Sequence, residues 1–150
     1  MIPVVRRTGE SHTAGLAKLR EMIERRAGSD LTSYFDTESA IERLSQVSGG
    51  FERQLLQLCQ RSIFATPVLP ITRQAVDAAI RDERDIMATG LSADSWKKLR
   101  AITTDTLPQD LDAQLLEYHY VLEYRDEQGY WLAVNPLIRE AALFSRSGAG

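Results

Sequence analysis

The sequence predicts a mainly α chain: a four-helix bundle followed by a smaller unit that carries one β-hairpin. Three observations lead there. Apolar residues recur at helical spacing from about residue 13 to about 118. Glycines and prolines fall between the periodic segments and so punctuate them. β-rich runs occur late in the chain, at Tyr120–Tyr124 and Tyr130–Val134, on either side of Asp126-Glu127-Gln128-Gly129.

Composition sets the bounds. A chain of 150 residues, 43% hydrophobic and 26% charged, is ordinary for a globular protein and makes one average domain or two small ones. A net charge of −3 implies no general affinity for nucleic acid, and the second half is the more acidic. No apolar run approaches membrane-spanning length and no signal peptide is visible, so no membrane partner is expected. The single cysteine, Cys59, falls on an expected core face, and a lone thiol suits a reducing cytoplasm.

In chain order, residues 1–12 read as a flexible arm or the remnant of a sheet strand. Ile2–Val5 is apolar but has no partner strand nearby and is expected to fray. Thr13 or Ser11 can cap a helix of about 14–27, which Gly28 stops. After a loop that tucks in Tyr34 and Phe35, Thr37 is the expected cap of a helix of about 38–48, ended by Gly49-Gly50. The next helix starts at Phe51, with Leu55, Leu58, Cys59 and Ile63 on one face. Pro67 and Pro70 forbid its continuation. Thr72 caps a fourth helix, closed by Gly90 and supported by Asp77/Arg81 and Arg81/Asp85 pairs. Residues 13–90 thus form a helical domain.

Residues 91–144 read as a second domain. Ser92 caps a helix of about 93–104, and Pro108 opens another that runs to about 118. A hairpin with a four-residue turn follows, and Pro136 starts a last helix through Phe144. Residues 145–150 read as a disordered tail.

The stretch Ser48-Gly49-Gly50-Phe51-Glu52-Arg53-Gln54-Leu55-Leu56 resembles the sensor 2 segment of AAA+ and STAND-type P-loop ATPases. Paired glycines admit a close approach by another backbone or by a phosphate. Helix, helix, hairpin, helix over 92–144 is similar to the winged-helix domain that commonly follows the lid in those ATPases. Val121-Leu122-Glu123-Tyr124 and Trp131…Val134-Asn135-Pro136-Leu137 look like the end of such proteins. The resemblance covers about 13–144. It implies a lid at 13–90 in which Arg53, with Gly49 and Gly50, senses nucleotide. It also implies a P-loop ATPase core as partner, in cis or in trans, and a further protein partner.

The ATPase machinery itself is missing from this sequence. No glycine is followed by lysine, so there is no Gly-x-x-x-x-Gly-Lys-Ser/Thr loop, and no apolar strand ends in an Asp/Glu pair for Mg²⁺. The chain is therefore expected to have no catalytic residues and no cofactor, with ATP and Mg²⁺ bound only if a core is supplied. The strand-like start at Ile2–Val5 is what a chain cut at the last strand of such a core would have. No metal site is expected, because His12 and His119 lack partners at metal spacing. No Ser elbow or Cys/His pair is present either. Trp96 and Trp131 read as shared core. The alternative is a winged-helix DNA-binding regulator. Its contacts would be Lys97, Lys98 and Arg100, because Asp110, Asp112 and Glu117 make the expected reading helix acidic.

Overall fold

The computed structural model describes residues 1–28, 31–103 and 111–145. The chain divides into two compact units, Met1–Glu83 and Arg84–Gly150, so the boundary falls inside a helix rather than at Gly90.

The first unit is helical. Helix α1 (Thr13–Ala27) buries Leu19 and Ile23, and Gly28 closes it at φ 73° as its C-cap. Its N-cap is His12, not Ser11 or Thr13. A short 3₁₀ turn, Leu31–Ser33, leads to α2 (Glu38–Val47). Thr37 starts α2 in extended backbone but makes no side-chain capping bond. Helix α3 (Glu52–Phe64) buries Gln54, Leu55, Leu58 and Ser62. The buried stripe is therefore rotated from the expected one: Ser62 is inside, its hydroxyl donating to Leu58 O (2.7 Å), and Ile63 is exposed. The link to α4 (Arg73–Thr89) is tied back by a parallel bridge between Phe35 and Ile71. Thr72 caps α4 as expected, its Oγ1 accepting from Ala75 N–H (3.1 Å). Of the ion pairs expected on α4 neither forms, and Arg73 pairs with Asp77 instead (3.1 Å).

The N-terminal segment does not fray. Val4 is 2% exposed. His12 N–H donates to Val4 O (2.9 Å) and Ile2 N–H to Gly50 O (3.2 Å). Val5 and Ser11 form an antiparallel bridge around a turn in which Gly9 has φ 88°. The sequence hides this partner because it is not a strand: the His12 N–H at the start of one helix and the Gly50 carbonyl at a bend between two others hold the segment.

The second unit has the expected order of helix, helix, hairpin, helix. Helix α5 (Ala93–Ala101) is capped by Ser92, as anticipated, but ends before residue 104. Helix α6 (Ala113–Glu117) is short and capped by Asp112 (3.0 Å to Gln114 N). Its expected start at Pro108 lies outside the described residues. Strands β1 (Val121–Asp126) and β2 (Gly129–Val134) pair antiparallel, with Val121 opposite Val134 and Tyr124 opposite Trp131. Asp126 pairs with Gly129, so the turn holds two residues between paired positions, not four. Gly129, at φ 111°, takes a backbone that keeps it in the ladder. The last helix is broken into α7 (Pro136–Arg139) and α8 (Ala142–Ser145).

One face of the hairpin contributes Val121, Leu132 and Val134 to a core with Trp96, Leu99, Leu115 and Ile138. Trp131 is not in that core. It lies on the opposite strand face against Tyr124, at 4.7 Å between ring centroids, and both are buried. The tail beyond Ser145 lies outside the described residues.

Candidate functional site

The bend between α2 and α3 carries the expected nucleotide-sensing residues. Gly49 and Gly50 have φ of 60° and 79°, the left-handed region that residues with a Cβ resist. Each amide of the bend already has a partner within it. Ser48 N–H donates to Leu44 O (3.1 Å), Gly49 N–H to Gln46 O (3.1 Å) and Phe51 N–H to Ser48 O (3.0 Å). Gly50 N–H donates to Ser48 Oγ (3.2 Å), and that hydroxyl donates to Ser45 O (2.8 Å). A phosphate cradle needs successive N–H groups directed outward, and these are directed at partners in the chain.

The close approach that glycine permits at this bend is made by the chain's own backbone. A Cβ added at Gly50 would lie 1.6 Å from Ile2 O. Gly15, in the first turn of α1, makes the same accommodation, with a Cβ there 1.7 Å from Pro3 O. The N-terminal segment thus runs over two positions reduced to bare backbone. Arg53 is nearby in sequence but different in environment. It is exposed on the first turn of α3 and makes no ion pair with the described residues. The structure therefore joins Gly50 to Ile2, and leaves Arg53 pointing to solvent at a helix start, where a cation opposes the dipole.

The second expected cluster lies on α5, and two of its three members have partners. Lys98 pairs with Asp94 (3.0 Å), one turn back on α5. Arg100 donates through Nη1 to Leu143 O (2.8 Å). Lys97 is exposed. On the hairpin, Arg125 lies over the Tyr130 ring (5.2 Å to the centroid).

The largest exposed apolar side chains of the first unit adjoin one another in sequence, at the end of α3 and the start of the following link. Phe64 is 79% exposed and Val68 75%, and Ile63 and Leu69 are more than half exposed. A lone exposed apolar residue needs no explanation, but four within Ile63–Leu69 do.

Titratable chemistry is sparse. Burial pushes the Cys59 thiol up to about 11, which disfavours the thiolate a nucleophile needs. Burial likewise raises the Tyr124 hydroxyl above its ordinary range. Glu83 is nearly buried, and Arg61 Nε approaches its Oε2 at 2.8 Å. That oxygen makes no aligned hydrogen bond, so charge is its compensation. Among the described residues no group of three or more His, Cys, Asp or Glu could hold a metal ion, and no helix is long and apolar enough to cross a membrane.

Sequence reasoning missed His12 and Asn135. His12 Nδ1 accepts from Gly15 N–H (2.9 Å) and caps α1. Asn135, fully buried, accepts from Leu137 N–H (3.0 Å) and donates to His119 O (3.0 Å). That second bond fixes a joint where His119 has φ 59°. The Asn135-Pro136 pair was the available signal for this helix start.

No family model, no curated protein and no solved structure matches the chain.

Proposed function

We propose that the chain is a non-catalytic interaction module. The observation that carries this is the exposed apolar segment Ile63–Leu69 on a unit whose other large apolar side chains are mostly buried. The raised Cys59 thiol and the sparse titratable chemistry are in keeping with a chain that binds rather than reacts. The test is site-specific photocrosslinking in producing cells, with the photoreactive residue at position 64 or, as control, at exposed Gln57. A discrete protein adduct formed at 64 and absent at 57 is expected. No adduct at 64, or the same adducts at both positions, refutes the reading.

The narrower form of the proposal is that the module resembles the lid and winged helix of a P-loop ATPase, coupling nucleotide state to a protein partner. Its support is the Gly-Gly-x-x-Arg motif, the order of elements in the second unit, and an Arg53 that no ion pair with the described residues engages. Because the bend's own amides are occupied, Arg53 alone carries the sensing role. With a P-loop core supplied in cis, Arg53→Ala then slows hydrolysis or weakens ATP binding. Unchanged kinetics in that variant remove the nucleotide-sensing role while leaving the interaction module standing. The purified chain alone hydrolyses no ATP, and measurable turnover by it refutes both forms. We also propose a reducing cytoplasm as its compartment, a reading that the lone thiol supports.

A further inference from the structure

We infer that Met1–Val5 is a strap that opens and closes as a unit and locks the α2–α3 bend when closed. The reasoning starts from how little holds it. Val4 is the strap's one fully buried side chain, whereas Met1 is exposed and Ile2, Pro3 and Val5 are half-buried. Among the described residues two backbone bonds tie it to the rest of the unit, Ile2 N–H to Gly50 O and His12 N–H to Val4 O. Ordering five residues costs conformational entropy at each of them, and one buried valine with two hydrogen bonds offsets that only narrowly. Segments so balanced open locally, well below the free energy of global unfolding.

The hinge is also present. After Val5 the chain makes the turn Arg6–Glu10, in which Arg6, Thr8, Gly9 and Glu10 are exposed. Gly9 donates to Arg6 O (2.9 Å) and Arg6 to Glu10 O (2.7 Å). These bonds lie within the turn, so they survive when the strap swings away.

The lock follows from where the strap sits. It crosses Gly15 at the start of α1 and Gly50 just before α3. Closed, it joins these two helix starts through a single run of backbone. Open, it leaves the carbonyl of Gly50 without its Ile2 donor and uncovers both glycines. The bend that the strap braces is the one that leads directly to Arg53, so strap position and the setting of α3's first turn are coupled.

The test is native-state hydrogen exchange on the full chain, read residue by residue at low denaturant. The amides of Ile2 and His12 should exchange together, at least about tenfold faster than Leu44 and Leu55, with little dependence on denaturant. Gly15→Ala, which crowds Pro3 O, should speed Ile2 and His12 by a further factor of about ten or more, carry Phe51 with them, and leave Leu44 and Leu55 unchanged. If Ile2 and His12 in the wild-type chain exchange only by global unfolding, the strap is not a unit and the inference fails. If they respond to Gly15→Ala while Phe51 keeps the protection of Leu55, the lock fails. The wild-type measurement decides the first point even where the variant folds poorly. Neither outcome depends on Phe64 or on any partner.

Discussion

Replacing Gly15 by alanine should destabilise this chain, although a glycine within a helix is where that change ordinarily helps. The usual gain is about 1 kcal/mol, from helix propensity and a less flexible unfolded chain. Here the new Cβ would sit 1.7 Å from Pro3 O and 2.9 Å from Pro3 C. Both are backbone atoms, so no rotamer change relieves the overlap and the strap must move. Displacing it loses the burial of Val4, roughly 1.5–3 kcal/mol, and two backbone hydrogen bonds of about 1 kcal/mol each. Part of that is returned as chain entropy of the freed residues. The net expectation is a loss of about 1 kcal/mol, against an expected gain of similar size. Removal of Met1–Pro3 takes away the clashing atoms. In that shortened chain Gly15→Ala should stabilise by about 1 kcal/mol, a coupling of roughly 2 kcal/mol between strap and glycine. The assay is urea denaturation followed by far-ultraviolet circular dichroism, which reads the helices of the first unit directly. Equal stabilisation of the full and shortened chains by Gly15→Ala would falsify the account of Gly15 as a strap seat.

Three further outcomes are expected. Arg61→Ala should lower the urea midpoint by the equivalent of roughly 1–3 kcal/mol, because it strands a nearly buried Glu83 carboxylate; a neutral effect would show that water reaches that oxygen. Cys59, with its thiol pushed up to about 11, should react with an aromatic disulfide reagent much more slowly than free cysteine at pH 8. Its protonated form is favoured in the folded state, so the unfolded chain releases the proton first as pH rises from 9.0, and stability falls from there towards 11; Tyr124, also raised, adds to the same trend at higher pH. A midpoint that holds steady between pH 8 and pH 10.5 would contradict this. In a duplex DNA titration at about 50 mM salt the chain should not bind tightly, since Lys98 and Arg100 are engaged by Asp94 and Leu143 O. Tight binding that weakens at about 200 mM and is abolished by Lys97→Glu/Lys98→Glu would restore the DNA-binding reading.

The helices were legible because their signals are local. Gly28, Thr72 and Ser92 each act within one turn of their own position, and each does in the structure what its type and spacing predict. What was not legible depends on partners distant in sequence. Ile63 repeats the helical stripe of Leu55 and Cys59, yet the stripe turns so that Ser62 is buried in its place. A serine can occupy that position because it returns its hydroxyl to Leu58 O, a bond that hydrophobicity counts do not register. The hairpin turn was misjudged for a similar reason. Asp126 looks like a turn residue, and its Oδ1 does accept from Gln128 N–H (2.9 Å), but its backbone stays in the ladder opposite Gly129.

The glycine pair shows how a sequence motif can be read correctly in kind and still leave its partner open. Two glycines before a helix mean that something comes close to the backbone, and something does: the carbonyl of Ile2. A phosphate and a peptide carbonyl make the same demand for space, but opposite demands for hydrogen bonding. A phosphate needs donors, and the Ser48–Phe51 amides have none to spare. A carbonyl needs only room, and the strand-like segment brings its own N–H to Gly50 O. The two readings meet at Arg53, which is exposed and makes no ion pair with the described residues. Any nucleotide role of this module must then act through that side chain and through a bend whose setting the strap controls. Arg53→Ala and strap removal should accordingly give overlapping, not additive, effects on a supplied ATPase core.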